Sequence, residues 1–156
     1  MRVEIQQLPA GQIAAFSLRG PWNVTVPQGF ALLTDWVSRN RLKGEWLAVY
    51  HDNPQEVPAE RLRVDTGIGV PAGFTLPQDS EGVTLKAIPS ARYAVAQVKV
   101  SDGDFARPWN EFFDEWLPAS GYRRASGPCF DRYLNDGSQS GVWDMLICIP
   151  VERCPE

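Results

Sequence analysis

The chain repeats itself, and a repeating chain folds as copies of one supersecondary unit, so the repeat constrains the fold before any single motif does. Shifted by about 80 positions, Val3-x-Ile5-x-x-Leu8-Pro9 falls on Val83-x-Leu85-x-x-Ile88-Pro89, Ile13-Ala14-Ala15 on Tyr93-Ala94-Val95, and Trp36 on Trp116. Toward the end of each copy the offset shortens by one, and Asp65-Thr66-Gly67-Ile68-Gly69-Val70-Pro71 falls on Asp144-Met145-Leu146-Ile147-Cys148-Ile149-Pro150. Tyr50-x-Asp52-Asn53 has a looser counterpart in Tyr133-Leu134-Asn135-Asp136. The matches keep their order along the whole chain, which sets them apart from chance. The copies span 1–75 and 82–151.

Each copy reads β-β-α-β-β. In the first, Arg2 to Leu8 and Ile13 to Arg19 are strands separated by the turn residues Pro9 and Gly11. A helix is predicted over Val26 to Asn40, where Phe30, Leu33, Trp36 and Val37 mark one face of a 3.6-residue period. Trp46 to Tyr50 and Arg63 to Val70 complete the unit, and Asn53-Pro54 and Val57-Pro58 break the chain between them. In the second copy Pro108 stands near a helix start, where its missing N–H costs least. Trp109, Phe112, Phe113 and Trp116 form the stripe, and Pro118 and Gly121 stop the helix. The fold class is therefore α+β. Two pseudo-symmetric units are expected to form one antiparallel sheet, with two helices on one face and a groove between them.

A length of 156 residues suits a single domain over 1–156 with a core that stands without staples. No apolar run approaches the roughly 20 residues that cross a bilayer. The start, Met1-Arg2-Val3-Glu4, lacks the apolar stretch of a signal peptide, so the expected compartment is the cytoplasm and no membrane is a partner. A net charge of −4 argues against a phosphate-binding track and hence against direct contact with nucleic acid. The three cysteines lack CxxC spacing and read as reduced thiols, and the single histidine, His51, rules out a His-rich metal site. No metal and no cofactor is expected. Nor does a catalytic constellation stand out: there is no GxSxG, P-loop or paired-His motif.

A pseudo-symmetric pair of helices makes a groove of the kind that binds small molecules, and six tryptophans are an unusual number for a chain of this length. The candidate walls are Trp22, Trp109, Phe112, Tyr133 and Trp143. Along the last strand Asp144, Leu146 and Cys148 share one face and Trp143, Met145, Ile147 and Ile149 the other. Leu146 and Cys148 are expected on the groove floor with Gly67 and Gly69, their equivalents in the first copy. Two glycines at alternate strand positions admit either a flat ligand or a bulge and tight packing.

Longer motifs add a resemblance. Gly20-Pro21-Trp22, Glu45-Trp46-x-Ala48-Val49-Tyr50-x-Asp52-Asn53-Pro54 and Pro58-Ala59-Glu60-x-Leu62-Arg63-x-Asp65-Thr66 resemble the bacterial DNA gyrase inhibitor proteins. So do Phe74-x-Leu76-Pro77, Ser80-Glu81-Gly82-Val83, Tyr93-Ala94-Val95-Ala96, Asp104-Phe105-Ala106-x-Pro108-Trp109 and Gly141-x-Trp143-Asp144. The resemblance covers nearly the whole chain. It implies a stand-alone member of the GyrI-like small-molecule-binding superfamily, related to effector domains of AraC-type and MerR-type multidrug regulators. Its members bind hydrophobic, often cationic, aromatic compounds; some resemble hydrolases of strained cyclopropane toxins, and others protect cells against gyrase poisons.

One departure stands out. Where the resemblance implies Glu-Ile-Tyr-Ile-Pro on the final strand, this sequence has Leu146-Ile147-Cys148-Ile149-Pro150, so Leu146 replaces the glutamate that recognises cations. Asp131, in Phe130-Asp131-Arg132-Tyr133, also stands where a glutamate would be unsurprising. The leading expectation is a binder of hydrophobic or aromatic small molecules that protects against gyrase poisons. The first alternative is a DNA gyrase inhibitor acting by protein contact. A hydrolase is disfavoured because the expected general base is missing.

Overall fold

A computed structural model describes residues 2–137 and 139–155. The element order is β1 (Arg2–Leu8), β2 (Gly11–Arg19), α1 (Trp22–Asn40), β3 (Trp46–Tyr50), β4 (Arg63–Val70), β5 (Val83–Ile88), β6 (Ala91–Val100), α2 (Ala106–Glu111), a π-helical stretch (Phe112–Trp116), α3 (Leu117–Ala119), β7 (Tyr122–Arg124), β8 (Cys129–Tyr133) and β9 (Trp143–Arg153). The class is α+β and the strand pairings are antiparallel. Both copies of the predicted β-β-α-β-β order are present, the second with β7 added after its helix.

The pairing departs from the linear repeat. The chain forms two compact units, 9–90 and 1–8 with 91–156. β1 pairs with β6 of the other copy, from Arg2↔Gln97 to Leu8↔Ala91. β5 correspondingly pairs with β2, from Gly11↔Ile88 to Phe16↔Val83. The copies thus exchange their first strands. Pro9 and Pro89 sit at matching turns, where a missing N–H interrupts the ladder and lets the chain change direction.

In the 9–90 unit the strand order is β3-β4-β2-β5. α1 lays Leu33 and Trp36 against Ala14, Ile68 and Val83, with Phe16, Phe30, Val37 and Trp46 at the margin of the cluster. Trp36 is 1% exposed. Its indole Nε1 donates to Ser80 Oγ at 3.0 Å, which satisfies the one polar atom that makes Trp costly to bury. The helix approaches the strands closely through Gly29, where an added Cβ would lie 2.4 Å from Thr66 Oγ1 and 2.9 Å from Leu18 Cδ1. α1 begins at Trp22, four residues before the predicted start. Pro27 lies inside the helix in its second turn, where it removes the one bond its N–H would give to the Asn23 carbonyl.

In the other unit the order is β1-β6-β9-β8, with β7 on the C-terminal end of β9 through Tyr122↔Arg153. Its core joins Phe112 to Ala94, Ala96, Cys129, Ile147, Ile149 and Val151. The helical segment therefore packs on the Ile147 and Ile149 face of β9.

Candidate functional site

That facing decides which candidate residues meet. β8 pairs with β9 through Asp131↔Ile147 and Tyr133↔Met145, so Asp131 and Tyr133 stand on the helix side of the strands with Trp143 and Met145. Phe105, just before α2, meets the Trp143 ring edge-on at 6.1 Å, and Tyr133 meets it at 5.8 Å. The loop from β8 to β9 fixes this indole. Asn135 accepts the Asp144 N–H at 2.8 Å and donates to the Val142 carbonyl at 3.0 Å. Gly137 lies against the ring itself, where an added Cβ would come within 2.6 Å of Trp143 Cδ2.

On the helix, Trp109 and Phe113 stack with planes 16° apart and centroids 5.9 Å apart. Both are half-buried and rest on the core below. The π-helical stretch that begins at Phe112 inserts an extra residue per turn, and such widened turns recur at functional sites. It turns Phe112 fully into the core, 0% exposed and edge-on to Trp116 at 5.3 Å. Five half-buried or exposed aromatic side chains (Phe105, Trp109, Phe113, Tyr133 and Trp143) thus share one side of this unit with the buried carboxylate Asp131, 1% exposed.

The other candidates are placed differently. Phe112 is a core residue rather than a wall. Leu146 and Cys148 point to the face of β9 away from α2, so they cannot form a floor beneath Trp109. Leu146 is half-exposed, with Gln97 and Arg132 as its cross-strand neighbours. Cys148 is fully buried opposite Val95 and Phe130. The alternation along β9 is as predicted; the expectation erred on which face the helix would take. Gly67 answers the choice between ligand and packing: an added Cβ would lie 2.8 Å from the Ala14 carbonyl and 2.9 Å from Ala15 Cβ. Gly69 is half-exposed and donates its N–H to the Glu45 carbonyl at 2.8 Å. Trp22 belongs to the 9–90 unit, donating to the Arg63 carbonyl at 3.2 Å and meeting Tyr50 edge-on at 4.8 Å.

The Cys129 thiol is not reactive in this setting. Burial pushes Cys129 up to about 11, with Arg124 opposing, so it stays protonated at neutral pH. Phe105 and Phe113 are absent from the predicted walls. Phe113 looks in sequence like one more member of a core stripe, and no periodic signal marks Phe105. Among the described residues no group of three or more His, Cys, Asp or Glu side chains gathers as a metal site. No described helix is long and apolar enough to cross a membrane.

An α+β fold that carries half-buried aromatic side chains and a buried carboxylate on one side of a unit has the make-up of a small-molecule-binding domain. Residues 1–152 match the family of GyrI-like small molecule binding domains, and the chain belongs to that family. A DNA gyrase inhibitor of Erwinia billingiae is 55% identical over 98% of this chain and 99% of its own length. The EcmrR C-terminal domain superposes with a TM-score of 0.74 at 15% identity, covering 98% of each chain. SAV2435, solved bound to tetraphenylphosphonium, gives a TM-score of 0.68 at 12% identity, over 97% of this chain and 94% of that one.

Proposed function

We propose that this protein binds hydrophobic aromatic compounds, cationic ones foremost, on the aromatic side of the 1–8 and 91–156 unit. The observation that carries the reading is a buried carboxylate, Asp131, on the same side of this unit as Trp109, Phe113, Tyr133 and Trp143. Ring faces attract a cation through their quadrupole, by up to about 2 kcal/mol when desolvated, and a carboxylate at low effective dielectric adds a charge partner. The tetraphenylphosphonium bound by SAV2435 is a compound of this class. Asp131 is the acidic side chain on this side of the unit, where Leu146 is not. Removing such compounds from solution is the means by which the chain would protect a cell against gyrase poisons.

A fluorescence titration with a cationic and a neutral aromatic dye of similar size tests the reading. Trp109→Ala and Trp143→Ala should each weaken both dyes about tenfold, a loss in the range of one desolvated aromatic contact. Asp131→Asn should weaken the cation selectively. Equal affinities for both dyes in the native protein and in Asp131→Asn would overturn it.

The Erwinia billingiae relative favours a second reading, direct contact with DNA gyrase. Supercoiling by purified gyrase, measured with and without the protein and no drug present, separates the two. Both readings place the chain in the cytoplasm.

A further inference from the structure

The face of the 9–90 unit turned away from α1 holds a second polar cluster that the aromatic surface does not use. β2 and β4 pair through Ser17↔Asp65 and Arg19↔Arg63, which sets these four side chains together. Lys86 stands on the same face of β5, opposite Ile13. His51 follows directly on β3. Together with Leu18 they line a cavity of about 260 Å³.

Asp65 is the fixed point. It is 3% exposed and accepts Ser17 Oγ at 2.5 Å on Oδ1 and His51 Nε2 at 2.6 Å on Oδ2. Burial pushes its carboxyl up, but the hydrogen bonds from His51 and Ser17, with the charges of His51 and Lys86, outweigh this and hold it below its ordinary value. A carboxylate on Nε2 fixes the orientation of the imidazole, and the ring lines the cavity.

The cations around it divide into two kinds. Arg63 is committed, forked onto Asp52 with Nη2 to Oδ1 at 2.8 Å and Nε to Oδ2 at 3.1 Å. Arg19 and Lys86 form no ion pair among the described residues and are exposed. Arg63 and Asp52 cancel. Arg19 and Lys86 outweigh Asp65, so the cavity carries an excess positive charge inside a chain whose net charge is −4. The two uncommitted cations match a dianion better than a monoanion.

We propose that this cavity is an oxyanion site that takes a phosphate or phosphomonoester dianion between Arg19 and Lys86, beside the His51 ring that Asp65 orients. Arg19 offers a planar fork suited to two phosphate oxygens, and Lys86 a point charge. The site is small and polar, which separates it in chemistry from the aromatic surface of the other unit.

His51 is the single histidine of the chain, so its ring C–H resonances in tag-free protein report on this cavity alone. Inorganic phosphate, phenyl phosphate and acetate are titrated at constant pH and ionic strength, with chloride as the balancing salt. Phosphate should move the His51 resonances saturably, and phenyl phosphate should do so at lower concentration if the natural ligand is an ester. Lys86→Met and Arg19→Met, both at exposed positions, should each weaken the response about tenfold, the loss of one charge-assisted hydrogen bond. The proposal fails if the resonances respond to phosphate no more than to chloride. It fails equally if acetate acts as strongly as phosphate, or if the Arg19→Met, Lys86→Met double variant responds undiminished.

Discussion

The two compact units share a design and differ in how their helices are closed. α1 touches its strands through a glycine and buries Trp36 with its indole nitrogen satisfied. The helix of the other unit has no glycine at the contact and contains a π-helical stretch, which sends only Phe112 fully inward. The equivalent of Trp36 in the repeat, Trp116, stays half-buried, as do Trp109 and Phe113. Of the two similar units, one closes its helix tightly. The 9–90 helix buries its aromatic face closely, and the looser helix leaves more of its aromatic area exposed to water.

The comparison breaks most visibly at its tryptophans. Trp36→Ala should cost about 3–5 kcal/mol, the range for emptying a large core site, read as a shift in urea midpoint at unchanged slope. Trp109→Ala should cost clearly less in the same experiment, since part of its ring is already in water. Equal costs would return Trp109 to the core and remove the distinction between the helices.

Gly29→Ala probes the closure itself. The methyl has no room beside Thr66 and Leu18, and overpacking of this kind costs about 1–3 kcal/mol. Alanine's better helix propensity returns up to about 1 kcal/mol, so the net loss should be smaller than that of Trp36→Ala. A more stable variant would show that α1 slides on its strands as freely as the other helix.

Acid titration sharpens the contrast at Asp65, whose carboxyl is held below its ordinary value in the fold. A group with a lowered folded pKa contributes stability that is complete above its unfolded value, about 3.9, and is lost as pH falls through the folded one. Asp65→Asn should therefore flatten the acid limb of the stability curve below about pH 4, measured by chemical denaturation at a series of pH values. Ser17→Ala should steepen nothing and flatten it partly.

The smallest effect is expected at the position that stood out most in the sequence. Leu146 is half-exposed on the face away from α2, beside Arg132. Leu146→Glu should change stability by no more than about 0.5 kcal/mol, as surface substitutions do. It should leave the cation-to-neutral ratio of dye binding unchanged. A marked shift in that ratio would place residue 146 back at the ligand.

These outcomes also mark what a one-dimensional reading can hold. Strands over 2–8, 46–50 and 63–70 were legible because Pro, Gly and Asn bracket them. Alternation along β9 was legible too, because its period is local. The face that a helix covers is not local, and so Leu146 and Cys148 were assigned to the wrong side. Strand exchange was hidden for the same reason: Val3 and Ile5 carry the same pattern whether β2 or β6 lies beside them. Asp131 and the Ser17–Asp65–His51 cluster were hard to find because a polar side chain looks the same in sequence whether it is buried or in water. His51 alone gives no hint of a carboxylate fourteen residues further on.

The exchange of β1 also sets an order of assembly on the ribosome. β1 is made first, yet its partner β6 begins at Ala91. The 9–90 unit is continuous in sequence and can close while the rest of the chain is still being added. Until β6 emerges, Arg2–Leu8 is a strand without its ladder, and such unpaired edges invite association with other chains. Its own composition limits the danger: Arg2, Glu4, Gln6 and Gln7 leave little continuous apolar surface for a neighbour to extend.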